Sequence, residues 1–99
     1  MRFEFDGKDA RVAISGEFTF TDHAAFKEIA TRLLATQERS IVIDVSKLEF
    51  IDSAGLGMLL IARDEVGKAN RSLVLRGPTG QVKRMFAVTK FETLFTIEG

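Results

Sequence analysis

Ile41-Val42-Ile43-Asp44-Val45-Ser46-Lys47-Leu48-Glu49-Phe50-Ile51-Asp52-Ser53-Ala54-Gly55-Leu56-Gly57-Met58-Leu59-Leu60-Ile61 is the stretch that decides the fold. It opens on an unbroken β-branched triplet extended by Val45, and such runs suit a strand covered on both faces. It ends in a strongly apolar run that leads on to Lys68, Ala69 and Asn70. We read a buried strand over 41–45, a connector over 46–52 with Leu48, Phe50 and Ile51 turned inward, and a helix over 53–68. Gly67 and Asn70 are both compatible with a left-handed helix end.

Outward from this unit the same alternation continues. Phe3 and Phe5 alternate with Arg2, Glu4 and Asp6, and Val12 and Ile14 with Arg11, Ala13 and Ser15. This is the period of half-buried strands. Asp6-Gly7 between them is a hairpin signal, because glycine accepts positive φ. An antiparallel hairpin over 2–6 and 10–15 is expected. Gly16 to Thr21 is a connector, and Thr21 or Asp22 can cap a helix over 22–36. Phe26, Ile29, Ala30 and Leu33 recur at i, i+3, i+4 and i+7 on one face of that helix. Leu73-Val74-Leu75 is a further buried strand. Gly77 to Gly80 breaks the chain, and Val82, Met85 and Phe86 give a helix over 80–88. Phe91, Leu94, Phe95 and Ile97 close the domain. The order is a β-hairpin followed by α-β-α-β-α, which predicts an α/β domain with a mixed β-sheet of four or five strands flanked by helices.

Composition narrows the chemistry. Ninety-nine residues with a hydrophobic fraction of 45% suit one domain spanning 1–99. Fourteen basic and fourteen acidic residues balance to zero, with no basic stripe, so no nucleic-acid partner is expected. The charged, alternating start is unlike a signal peptide. The apolar run from Leu56 to Ala62 is far short of the roughly 20 residues a membrane span needs. A cytoplasmic location, with no membrane partner, is expected. With no cysteine, thiolate chemistry and Cys-based metal sites are excluded, and with a single histidine, His23, a zinc site that needs about three protein ligands is not expected; no metal or other cofactor is expected. No phosphate loop, G-x-G-x-x-G fingerprint or G-x-S-x-G elbow is present. His23 reads as a solvated side chain, and Asp44, Asp52, Asp64 and Glu65 form no acid/base pair. The chain is not expected to be an enzyme.

Asp52-Ser53-Ala54-Gly55-Leu56-Gly57 remains as the segment that carries information. Two glycines in the first turns of a helix each cost about 1 kcal/mol relative to alanine. Close approach of another backbone or of a partner is the usual reason for such a cost. Ser53 has two readings. It can cap the helix by taking a free amide. It can instead be an exposed hydroxyl that a kinase reaches, where a phosphate would add about −1.5 to −2 charges beside Asp52. Leu56 and Met58 are either core or an apolar docking patch beside Ser53.

Asp52 to Gly57, preceded by the 41–45 strand and Leu48, resembles the signature of the STAS domain. Val12-Ala13-Ile14-Ser15-Gly16-Glu17 resembles the family's early strand and Gly-Glu step. Leu73 to Leu75, Val82, Met85 and Phe91 to Ile97 match its later elements. Within that family the chain is most similar to the free-standing bacterial anti-sigma factor antagonists, over nearly its whole length. The resemblance implies a partner-switching protein. Such a domain binds a serine-kinase anti-sigma factor, is released when that kinase phosphorylates the serine corresponding to Ser53, and is restored by a metal-dependent serine phosphatase. It implies a partner-binding surface at Phe20, Thr21, Asp22, Asp52, Ala54, Gly55, Leu56 and Met58, and a monomer or weak homodimer. The chain departs from the family where many relatives carry an Asp soon after the Gly-Glu step; here Phe18-Thr19-Phe20-Thr21 follows Glu17, and Asp22 arrives later. One of Phe18 and Phe20 is expected inside and the other outside. The alternative is a STAS regulatory subunit of another signalling pathway or of a lipid-transport assembly, with Ser53 only a cap and interface residue.

Overall fold

The computed structural model describes residues 1–6 and 10–99. Strand β1 (Arg2–Phe5) pairs antiparallel with β2 (Arg11–Phe18), as the alternating phenylalanines predict. The Asp6-Gly7 turn expected to join them falls partly on Gly7, outside the described residues. Everything after β2 is parallel. β2 pairs with β3 (Ser40–Ile51), β3 with β4 (Ser72–Arg76) and β4 with β5 (Thr96–Glu98). The sheet order follows the chain, β1-β2-β3-β4-β5. Parallel neighbours need crossover connections. Helix α1 (His23–Leu34), entered through a short 3-10 turn at Phe20–Asp22, joins β2 to β3; α2 (Ser53–Lys68) joins β3 to β4; α3 (Gly80–Val88) and a 3-10 turn at Phe91–Thr93 lead to β5.

The segment 46–52 corrects an expectation: it is a continuation of β3 up to Ile51 rather than a connector. It pairs with a β2 that runs on to Phe18, through Ser15↔Lys47, Gly16↔Leu48, Glu17↔Phe50 and Phe18↔Ile51. The register shifts at Ala13/Ser15 and Gly16/Glu17, and each shift breaks the two-residue period that marks a strand in sequence. Within this stretch Leu48 and Ile51 turn inward, as expected, while Phe50 is exposed. The sheet has five strands, within the expected four or five; the fifth follows α3, beyond the expected α-β-α-β-α order, and lies on the sheet edge. At the end of α2 it is Asn70, with φ 59°, that takes the left-handed conformation, while Gly67 lies inside the helix.

The inward faces of the helices meet one face of the sheet. Val12, Ile14, Ile41, Ile43, Leu73 and Leu75 from the strands share a core with Phe26, Ile29 and Leu33 of α1 and Leu59, Ala62 and Val66 of α2. Phe86, Phe91 and Phe95 stack in sequence, with centroids 5.2 and 4.9 Å apart, and seal the α3 end. On the alternate strand positions Val42 and Val74 are buried as well, and a row with three charged side chains lies next to them. By register, Ala13, Asp44, Arg76 and Glu98 stand side by side across four strands. Arg76 is paired with Glu98 at 3.0 Å. Partial burial alone would raise the pKa of the Asp44 carboxyl, but hydrogen bonding to Ser46 and the charges of Arg76 and Arg11 outweigh it and hold the pKa below the ordinary carboxylate value.

A depressed carboxyl pKa contributes stability that is present above the unfolded-state value of about 3.9 and is lost as pH falls through the folded-state value. The stability gap between the wild type and Asp44→Asn is therefore expected to be constant at neutral pH and to shrink as pH drops below about 4. Urea titrations across pH measure it; a gap that grows on acidification contradicts the assignment.

The packing also separates the two glycines of α2. A Cβ on Gly55 would sit 2.7 Å from the Phe18 carbonyl oxygen and 2.7 Å from Ile51 Cγ1, whereas a Cβ on Gly57 would meet nothing within 4 Å. Gly55→Ala is expected to destabilise by about 1–3 kcal/mol through overpacking. Gly57→Ala is expected to stabilise by about 0.5–1 kcal/mol through helix propensity. Thermal or denaturant unfolding of the two variants, opposite in sign, checks both.

Candidate functional site

The site forms where β3 ends and α2 begins. Gly55 lets α2 approach the end of β2 closely, which puts the helix start beside the β2–α1 connection. Asp52, in extended backbone, is the N-cap of α2; Oδ1 accepts from Gly55 N at 2.8 Å. The other oxygen, Oδ2, accepts from Phe20 N at 3.2 Å. One carboxylate thus caps the helix and holds the neighbouring connection. That connection is further closed by Asp22, whose Oδ2 accepts from Thr19 N at 2.9 Å and whose Oδ1 accepts from the Met1 amino group at 3.1 Å. Among the described residues neither Asp52 nor Asp22 pairs with a lysine or arginine side chain.

Ser53 is the first residue of α2 and is exposed. It does not cap the helix; the preceding aspartate does. Among the described residues no hydrogen bond engages the Ser53 hydroxyl. The amides of Ser53 and Ala54, in the first turn, have no intrahelical acceptor to bond to.

Of the other expected surface residues, Phe20 is 71% exposed, Thr21 is exposed, and Asp22, Asp52 and Ala54 are half-buried. Phe18 is inside and Phe20 outside, with the Phe18 ring 5.0 Å from Phe26. Gly55, Leu56 and Met58 are buried. Leu56 and Met58 therefore supply no docking patch beside Ser53. The reason is coverage on several sides: α2 packs on β3 and β4 below and α1 alongside, so an apolar band wider than one stripe is core. Among the described residues the exposed large apolar side chains near this end are Phe20, Phe50 at the end of β3 and, two turns along α2, Ile61.

One residue of the site was not legible in the sequence. The Gln81 side-chain amide, from α3, donates to the Ile51 carbonyl at 2.9 Å and accepts from the Ile51 amide at 2.9 Å. It stands in for a neighbouring strand and fixes the backbone immediately before Asp52. A glutamine in the first turn of a helix carries no sequence signal for such a role. His23, at the start of α1, is exposed as expected. Among the described residues no group of three or more His, Asp or Glu side chains is placed to hold a metal ion, and no helix is long and apolar enough to cross a membrane.

A mixed sheet with crossover helices and an Asp-Ser step at the mouth of α2 defines a STAS domain, and the chain belongs to the STAS-domain family: the family model described as "Mlab, STAS domain" matches residues 1–96. The chain is similar to a STAS-domain containing protein of Pseudomonas aeruginosa, 35% identical over 93% of this chain and 90% of that protein. It is also similar to the anti-sigma-F factor antagonist RsfB of Mycobacterium tuberculosis, 32% identical over 69% of this chain but only 57% of RsfB. In fold it matches a solved anti-sigma factor antagonist from Mycobacterium paratuberculosis with a TM-score of 0.81 at 23% identity, over 98% of this chain and 82% of that one.

If Asp52 holds both the helix and the connection, Asp52→Ala should cost about 1–2 kcal/mol, the usual loss of a good N-cap, with Asp52→Asn retaining most of it. Denaturant unfolding gives the magnitude. Backbone amide shifts at Phe20 and Gly55 should move together in Asp52→Ala; a change confined to Gly55 would contradict the bridging role.

Proposed function

We propose that this protein is an anti-sigma factor antagonist, a binding module whose partner is a serine-kinase anti-sigma factor and whose switch is phosphorylation of Ser53. The observation that carries the reading is an exposed hydroxyl with no internal partner at the first turn of α2. The capping duty is discharged by Asp52, so Ser53 is free for modification without loss of the helix. The relatives named as antagonists support the same output. The domain is a substrate of the kinase rather than an enzyme, and a metal-dependent phosphatase would restore it.

The physics of the switch is local. A phosphate on Ser53 would face the free first-turn amides, which tolerate an anion. The fold would therefore survive. Outside the helix the added −1.5 to −2 charges would stand beside Asp52 with no cationic side chain of this chain bonded there. A partner that had buried this surface would have to desolvate an unpaired dianion, which is costly. The docking surface consists of Ser53 with Phe20, Thr21, Asp22, Asp52 and Ala54, and with the bare backbone at Gly57. Gly55, Leu56 and Met58 support it from beneath.

The second reading is a constitutive STAS subunit of another assembly, with Ser53 only an interface residue. It is favoured by the family model, described by Mlab, and by the Pseudomonas relative, named only for its STAS domain.

Incubation with a serine kinase of the anti-sigma class and ATP separates the two readings by intact mass. One added phosphate is expected, absent in Ser53→Ala. Ser53→Ala should bind the kinase constitutively, and Ser53→Asp should bind at least about tenfold more weakly, equivalent to about 1.4 kcal/mol. Gly57→Ala should lower partner affinity while leaving the free protein no less stable. Stoichiometric phosphorylation that leaves partner affinity unchanged removes the switch and leaves the constitutive reading.

A further inference from the structure

Helices α1 and α2 run side by side over the sheet without closing on each other. The gap between them is a groove of about 380 Å³. That volume lies within the roughly 300–1,000 Å³ typical of small-molecule sites, which are lined mainly by apolar side chains with a few polar groups. The floor is Phe26, Met58 and Ala62, all buried. Ala30, Leu34 and Ile61 form the walls. Two of the lining residues, Ala30 on α1 and Ala62 on α2, are alanines, whose small side chains fill little of the space. Ile61 is 62% exposed, so its side chain is left on the wall rather than in the core.

The polar groups of the groove are sorted by end. His23 and Lys27 stand at the end where both helices begin, and Glu65 stands at the other, with Thr31 between. Lys27 makes no salt bridge among the described residues. The helix starts add partial positive charge at the Lys27 end. From Phe26 to Leu34 the apolar wall runs about 12 Å at 1.5 Å per residue. A long apolar channel with a cationic mouth and an acidic far end is complementary to a linear molecule with one anionic head.

We propose that the α1–α2 groove binds a free medium-chain fatty acid, its carboxylate at Lys27 and His23 and its alkyl chain laid along Phe26, Ala62 and Leu34. A cationic amphiphile of equal length would lie reversed, its head at the single carboxylate Glu65, against Lys27, His23 and two helix starts for the anionic head, and is expected to bind more weakly.

The test is a titration of the whole protein with sodium decanoate below its micelle threshold, followed by methyl NMR. Saturable shifts are expected at Ala30, Leu34, Met58, Ile61 and Ala62, with affinity rising about twofold per methylene from hexanoate to decanoate, the ratio that half-burial in an open groove, about 0.4 kcal/mol per methylene, gives. Lys27→Glu, an exposed substitution, should weaken decanoate about fivefold. Ala30→Phe should fill the groove and abolish binding. Decyltrimethylammonium should bind more weakly than decanoate to the wild type. No saturable shift, a flat chain-length series, or equal binding of the cationic amphiphile overturns the proposal. So does a dimer, seen by sedimentation, that Ile61→Asp dissolves, because a second copy would then occupy the groove.

Discussion

The Asp52 carboxylate is the point on which the geometry at the mouth of α2 turns. Its two oxygens serve two different segments, the Gly55 amide inside α2 and the Phe20 amide across the β2–α1 connection. A hydrogen bond to an ionised acceptor is stronger than a neutral one, and here both bonds depend on one side chain. The arrangement is possible only because Gly55 has no Cβ. Any side chain there would collide with the Phe18 carbonyl, lift α2 away from β2 and carry Asp52 out of reach of Phe20. Gln81 completes the constraint from the third side by holding the Ile51 backbone. Three segments distant in sequence thus fix the geometry of one short turn.

This division of labour explains how an exposed serine can follow a cap. Helix starts usually recruit serine for capping, and the residue is then committed to an internal bond. With aspartate in that role the serine contributes little to the fold. A position that contributes little to stability can be chemically altered without unfolding the domain, which is what a reversible switch requires. The glycines fit the same logic in different ways. Gly55 is demanded by the chain's own backbone. Gly57 is demanded by nothing internal, since a Cβ there would point into open space. Its helix cost of about 1 kcal/mol is left without an offset inside the monomer, and an approaching partner is the physical candidate for it.

Much of the fold was legible because it rests on periodicity. The hairpin alternation, the 53–68 helix, the 80–88 helix and the β-branched strands follow from burial on one or both faces, which composition records directly. The errors fall where periodicity is broken or short. The register shifts opposite residues 46–51 erase the alternation of a strand that continues for twelve residues in all. β5 has three residues, too few to show any period. At the site, Ser53 and Asp52 were legible as a pair but their duties were not, because serine and aspartate are near-equal caps and only geometry assigns the bond. Leu56 and Met58 were ambiguous for a similar reason: an apolar helix does not announce how many neighbours cover it.

The same coverage argument bears on what the surface can do. Once Leu56 and Met58 are core, the large apolar groups left near the helix start are few, chiefly Phe20 on the connection, Phe50 at the end of β3 and Ile61 on α2. An interface formed here would have little hydrophobic area to gain from and would draw a larger share of its affinity from backbone approach and electrostatics. Such an interface is the kind that a single charge change disrupts most effectively, since like-charge juxtaposition can cost several kcal/mol while the apolar contacts that might offset it are sparse. The burial of α2's apolar band and the scarcity of exposed apolar side chains at its mouth are therefore two consequences of one packing solution.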